Sequence, residues 1–196
     1  MGTTSTSGKS NEMERKPNSV SHNNNENKNK IIQSNKDKES SFSNIIEKTD
    51  FSPKNMLTYH NSLRKKHQSN NLQNNSELNN KAQKYAENLI IPNTNTDLTE
   101  INLYNGEILG ENIFISDKEE KTEDICNNWY IEKNNYNYDL NNFQKDTNNF
   151  TQLIWKSTKF VGFGYSYFNG KYCYVALYYP AGNIFGEFTN NVFKKS

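Results

Sequence analysis

Asn149-Phe150-Thr151-Gln152-Leu153-Ile154-Trp155-Lys156-Ser157-Thr158 runs on through Val161-Gly162-Phe163-Gly164 to Tyr178-Tyr179-Pro180-Ala181-Gly182-Asn183, and this last third of the chain decides the fold. Phe150 to Trp155 reads as a short helix. Val161, Phe163, Tyr165 and Tyr167 then alternate with other residues at a period of two, the spacing of a strand with one face turned inward. Asn169-Gly170 follows, and this pair supplies the two left-handed positions of a tight primed hairpin turn. Tyr172 to Tyr179 returns as the partner strand. The stretch is therefore a short helix followed by an antiparallel hairpin.

Upstream, Ile125, Trp129, Glu132 and Tyr136 recur at helical spacing and predict a helix along which all four share one face. Before it stand Gly110-Glu111-Asn112-Ile113 and a long polar connection from Asn93 to Asn105. Ser76 opens an earlier helix whose stripe, Leu78, Ala82, Tyr85, Ala86 and Leu89, is ended by Pro92. Ser52-Pro53 starts the first helix, with a capping hydroxyl and a proline in the first turn, and Met56, His60, Leu63 and His67 follow at spacings of four, three and four. Helices packed around an antiparallel sheet make an α+β domain.

The 196 residues suit one domain with an appendage, and a formal charge of +1 argues against electrostatic attraction to nucleic acid. Asn occurs 36 times, a bias spread over loops and tail. Of the 25 aromatic residues only Phe42 precedes residue 51, so the core must lie beyond it. Residues 1–50, rich in Asn, Ser and Lys, bury too little apolar surface to offset the entropy of ordering and are expected to be a disordered tail. No apolar run there is long enough for a signal peptide, and no segment could span a bilayer. Cys126 and Cys173 are the only cysteines, too few for a disulfide framework, and fit a reducing compartment as buried small side chains.

Together, the Asn149 to Thr158 block, the Tyr178 to Asn183 block and Gly110-Glu111-Asn112-Ile113 resemble the signatures of the CAP superfamily, the domain of sperm-coating proteins, insect antigen 5 and plant pathogenesis-related protein 1. The resemblance covers about residues 53 to 193, includes the His60-Asn61 and Arg64 of the opening helix, and implies a three-layer αβα sandwich within a domain of residues 51–196. Phe163 and Ala176 occupy positions that are often Cys in secreted relatives. The family's cleft holds two glutamates and two histidines that can bind a divalent metal. The glutamates map onto Glu111 and Glu132. One histidine position is Asn149, and the loop that supplies the other contains none. From sequence alone the ordinary reading of Glu132, a carboxylate at the solvent edge of its stripe or paired with a lysine, comes first. Only the resemblance raises it and Glu111 to site residues.

Two carboxylates and an amide make a poor zinc site, although a low-affinity calcium or magnesium site stays open. His60 and His67 are two turns, about 10 Å, apart along their helix and are read as structural. No base is paired with a nucleophile in the chain order, so no catalysis, resident metal or cofactor is expected. Met1-Gly2-Thr3-Thr4-Ser5-Thr6 matches the myristoylation pattern at Gly2, which with the missing disulfides resembles the intracellular, Golgi-associated branch of the family. One such chain gives a membrane affinity of only about 10⁴ M⁻¹. The resemblance thus implies a non-enzymatic protein on the cytoplasmic face of a membrane, binding sterol or another lipid. Alternatives are a dimeric or other protein-interaction module and a metal-dependent hydrolase. A secreted protein with an incomplete N-terminus is the alternative location, in which case Asn74-Asn75-Ser76 and Asn149-Phe150-Thr151 become glycosylation acceptors.

Overall fold

Ser52 opens the first helix as the sequence requires: its Oγ accepts the Asn55 N–H at 3.1 Å, and Pro53 takes the first position of α1 (Pro53–Lys65). The computed structural model describes residues 50–94 and 97–196. The expectations for Gly2 and for residues 1–49 of the tail lie outside these residues, whereas Asp50, counted with the tail, is tied to the domain through hydrogen bonds from Thr122. The helix ends before His67, which was expected on it. Gln68 adopts a left-handed φ of 59°, and His67 sits in the turn instead, still buried at 1% exposure.

A two-residue strand β1 (Gln73–Asn74) leads into α2 (Ser76–Ile90). The cap of α2 is Asn75, whose Oδ1 accepts the N–H groups of Glu77 and Leu78. The polar connection holds more than a loop: α3 (Leu98–Ile101) is followed by β2 (Leu103–Tyr104) and β3 (Glu107–Ile108), a small hairpin around Asn105-Gly106. Both turn residues have positive φ, 53° and 80°, so this is the same chemistry that was legible at Asn169-Gly170. Next come β4 (Gly110–Ser116) and α4 (Thr122–Tyr130).

The helix through Ile125 and Trp129 stops short of its predicted reach. After Tyr130 the chain tightens into a 3₁₀ turn over Ile131–Asn135, which takes Glu132 off the inward stripe, while Tyr136 is buried beyond it. The remaining elements are α5 (Asn148–Ile154), β5 (Phe160–Phe168), β6 (Lys171–Tyr179) and α6 (Phe188–Asn191).

The main sheet has the order β1-β5-β6-β4, with β1 parallel to β5 and the other pairs antiparallel. Directly opposed residues share a face. Cys173, Val175 and Leu177 pack beneath Leu78, Ala82, Tyr85 and Ala86 of α2. Tyr174 and Tyr178 face the other way, towards Phe51 and His60. The result is the expected three-layer αβα sandwich, with α2 on one face of the sheet and α1, α4 and α5 on the other.

How α2 meets β5 follows from two glycines. A Cβ on Gly162 would lie 2.1 Å from the Leu78 carbonyl carbon, and one on Gly164 would lie 2.1 Å from that of Ala82. Backbone therefore meets backbone. At this range Asn79 Oδ1 accepts the Phe163 N–H at 2.8 Å, while Gln83 accepts the Tyr165 N–H at 3.1 Å and donates to the Tyr165 carbonyl at 2.7 Å. Beyond Val161, where β1 ends, these amides pair the outer edge of β5. The spacing matches, since four helical residues rise about 6 Å and two strand residues about 6.6 Å.

Candidate functional site

A cleft of about 840 Å³ opens where the start of β4, α5 and the turn after β6 converge. Gln152 is its pivot. Its side chain is 1% exposed, its Oε1 accepts the Gly182 N–H at 2.7 Å, and its Nε2 reaches Thr158 Oγ1 at 3.3 Å. A Cβ on Gly110 would fall 2.0 Å from Gln152 Oε1, and one on Gly182 would fall 2.8 Å from Trp155 Cγ, so both glycines let the walls close on these side chains. The turn is tied to α5 a second time, because Thr151 Oγ1 donates to Asn183 Oδ1 at 2.5 Å and Asn183 Nδ2 donates to the Asn148 carbonyl at 3.0 Å. Gln152 was quoted in the deciding stretch without a role. The signal that marks it is an amide standing among Phe150, Leu153, Ile154 and Trp155, where a polar group needs a partner.

The walls of the cleft mix Ile108, Leu109, Trp155, Pro180, Ala181 and Ile184 with uncharged polar groups such as Asn102, Asn148 and Ser157, and its charges are Glu107, Glu111 and Glu187. Among the described residues no lysine or arginine lines it. Ile108, 72% exposed, and Ile184, 44% exposed, stand open at the rim.

Of the three site residues that the resemblance implies, Glu111, Glu132 and Asn149, only Glu111 lines this cleft. It pairs with Leu177 across the sheet and so turns towards α2. There, burial and a hydrogen bond to Glu111 push the Tyr85 phenol up to about 12. Glu132 and Asn149 are brought together on the other face. Glu132 accepts from the Asn149 amide nitrogen at 2.6 Å and from the backbone N–H groups of Asn149 and Phe150 at 2.8 and 3.0 Å. Thr147 makes no side-chain capping bond, so Glu132 reaches in from the 3₁₀ turn and satisfies the first N–H groups of α5. Asn112 links this pair to the core: its Nδ2 donates to the Asn149 carbonyl at 3.0 Å and to Tyr178 OH at 3.2 Å.

His60 and His67 belong to the core. His60 Nδ1 meets the Met56 carbonyl at 2.8 Å and so carries the proton, leaving Nε2 to accept from Tyr178 OH at 2.9 Å. Burial lowers its pKa to about 3, which keeps the ring neutral. Cys126 Sγ lies 3.5 Å from Nδ1, but burial raises its thiol far above the usual range, and the nitrogen it faces has no lone pair to act as a base. His67 Nδ1 donates to the Phe193 carbonyl at 2.6 Å and Nε2 accepts from Tyr130 OH at 2.9 Å. Burial lowers its pKa, and Lys133, Lys195 and Lys66 push it the same way. Arg64, 0% exposed, donates to the carbonyls of Asn70, Leu153, Trp155 and Thr158.

A zinc ion does not fit this arrangement. Both oxygens of Glu132 are occupied by α5, Asn149 presents its amide nitrogen to Glu132, and Glu111 stands on the opposite side of β4. Among the described residues no three His, Cys, Asp or Glu side chains come close enough to hold a metal.

The model of the CAP family, described as the cysteine-rich secretory protein family, matches residues 57–179. No curated protein matches the chain. Among solved structures, Schistosoma mansoni venom allergen-like protein 4 superposes with a TM-score of 0.56 at 21% identity, covering 72% of this chain and 92% of that one. NaASP2 with Zn2+ gives 0.55 at 20%, over 74% of this chain and 85% of that one. MpPR-1i gives 0.53 at 19%, over 74% of this chain and 99% of that one. At these identities the superpositions speak for the fold alone, and with the family match over most of the domain the conclusion is that the chain belongs to the CAP, or cysteine-rich secretory protein, family.

Proposed function

We propose that this is a non-enzymatic CAP protein that works at membranes and takes a sterol or another uncharged lipid into the cleft around Gln152. The observation that carries the reading is the lining itself: six apolar residues beside uncharged polar groups such as Asn102, Gln152 and Ser157, with Glu107, Glu111 and Glu187 and, among the described residues, no cation. Apolar walls interrupted by uncharged hydrogen-bonding groups suit a lipid that carries a hydroxyl. The three carboxylates oppose a fatty acid or an acidic headgroup, which would bring a like charge among them. Turnover has little support, since His60 is neutral with both ring nitrogens engaged and Glu132 is held at the start of α5.

Binding of cholesterol and of oleate to the full chain tests this. Cholesterol is expected to bind with a Kd on the order of micromolar, the strength of a modest apolar contact. Ala181→Trp, which fills the cleft, should abolish binding, and oleate should bind at least about tenfold more weakly. No sterol binding, or sterol binding unchanged by Ala181→Trp, would sink the proposal. Exposed Ile108 and Phe185 would then support the protein-interaction alternative. The cytoplasmic face of a membrane, reached through an acylated Gly2 as in the Golgi-associated branch, is part of the same proposal. Gly2→Ala should release the membrane-bound fraction in cells, and N-linked glycans on the native protein would refute this location.

A further inference from the structure

Two loops expose large apolar side chains next to each other. Leu140 and Phe143, 43% and 57% exposed, follow the 3₁₀ turn, and Ile184 and Phe185, 44% and 83% exposed, follow β6. Asn141 joins the loops, because its Nδ2 donates to the Gly186 carbonyl at 2.6 Å and its Oδ1 accepts the Thr189 N–H at 3.0 Å. One residue before Leu140, Asp139 meets Lys194 at 3.9 Å, and Lys194 stands 5.9 Å from the Tyr138 ring. Lysines continue from there around His67: Lys133 and Lys66 lie 4.3 and 6.0 Å from the Tyr130 ring centre, and Lys195 acts on the same imidazole. Among the described residues no carboxylate forms an ion pair with Lys66, Lys133 or Lys195.

We infer that this face docks the protein on an anionic membrane, with Leu140, Phe143, Ile184 and Phe185 entering the headgroup region and the neighbouring lysines meeting lipid phosphates. The inference rests on the lipid-binding reading above and adds to it the surface that makes contact. Charge complementarity selects the occupant, since among the described residues Lys66, Lys133 and Lys195 have no carboxylate partner and Lys194 meets Asp139 only at 3.9 Å, while Glu187 is the exposed carboxylate of the Ile184 loop. The apolar residues stand on loops, a placement suited to shallow insertion between headgroups, where aromatic side chains are favoured. Ile184 also lines the cleft, so a bilayer under these loops lies against the cleft mouth.

The test is co-sedimentation of the full, unacylated chain with vesicles of phosphatidylcholine alone and of phosphatidylcholine containing phosphatidylserine. Binding is expected only to the second, and to weaken as salt is raised. Phe143→Ser with Phe185→Ser, and separately Lys194→Glu with Lys195→Glu, should each lower the partition by about tenfold or more. Both pairs change solvent-facing residues, and the melting temperature of each variant shows that the fold is retained. A wild type indifferent to phosphatidylserine, or two double variants that bind like the wild type, would overturn the inference. Loss with the lysine pair alone would also overturn it and assign the face to an acidic protein. Cholesterol supplied in cyclodextrin separates the two proposals, because the docking variants should still bind it, whereas a failure of cholesterol binding with intact vesicle binding removes the cleft reading and leaves this one standing.

Discussion

Among the described residues no carboxylate pairs with Arg64, yet its guanidinium is fully buried and spends its donors on four backbone carbonyls between Asn70 and Thr158. Burial lowers its pKa to about 10, still high enough to keep the charge. Arg64→Ala should cost about 3–5 kcal/mol in urea unfolding, because it leaves a cavity and unpaired carbonyls together. Arg64→Lys should recover only part of this, since one ammonium cannot span a fork's worth of acceptors. His60 gives a pH dependence. Its pKa falls from 6.5 in the unfolded chain to about 3 in the fold, so the unfolded state takes up the proton first as pH drops. The stabilisation is complete above about pH 6.5 and is lost towards pH 3, at about 1.4 kcal/mol per unit while only the unfolded histidine is protonated. His60→Gln should flatten the acid limb of stability against pH relative to the wild type, and an unchanged slope would show that the ring is not buried neutral. At the substituted position, zinc should leave the melting temperature of the wild type unaltered, and submicromolar zinc affinity lost in Glu132→Ala would contradict the pairing of Glu132 with α5.

Close contact between α2 and β5 depends on positions with no room for a methyl group. Gly164→Ala should cost about 3 kcal/mol or more, since the clash is with helix backbone, whereas Gly170→Ala at the hairpin tip, with φ of 79° and open space around it, should cost about 1 kcal/mol. Thermal unfolding of the two variants measures the difference. Much of the element order was legible, because period and capping residues report on single segments: Ser52-Pro53, Asn169-Gly170 and the stripe of Leu78, Ala82, Tyr85 and Ala86 mark what they were expected to mark, whereas Leu89, expected on the same stripe, is 37% exposed and Ile90 packs against the core instead. The hairpin at Asn105-Gly106 was passed over although it carries the same turn signal. The reach of the Trp129 helix was overestimated, since Tyr136 is buried at a helical spacing from Trp129 without being on the helix. For the site, sequence put Glu132 with Asn149 but could not show that the carboxylate is consumed by N–H groups of α5, a contact between elements distant along the chain. The part of Gln152 depends on Gly110 and Gly182 from two other segments, which no local pattern records.

The first described residues are already part of the fold: the Asp50 carboxylate accepts the Thr122 N–H at 3.0 Å, and Phe51 is 7% exposed. A chain starting at Asp50 should keep the melting temperature of the full protein, and one starting at Pro53 should melt several degrees lower, about what a loss of 1–2 kcal/mol produces. Equal melting of all three would show that this segment contributes nothing. The pairing of Asn79 and Gln83 with β5 reaches beyond one molecule. With α2 in place β5 offers other chains no template, but fraying of that helix would bare an apolar, aromatic strand able to recruit a second copy. Aggregation would then be gated by local opening of α2 rather than by global unfolding, so lag times across a set of variants should track hydrogen exchange in that helix and not the melting temperature. Shelf life and heat resistance become separately adjustable, and the first is set by two amides.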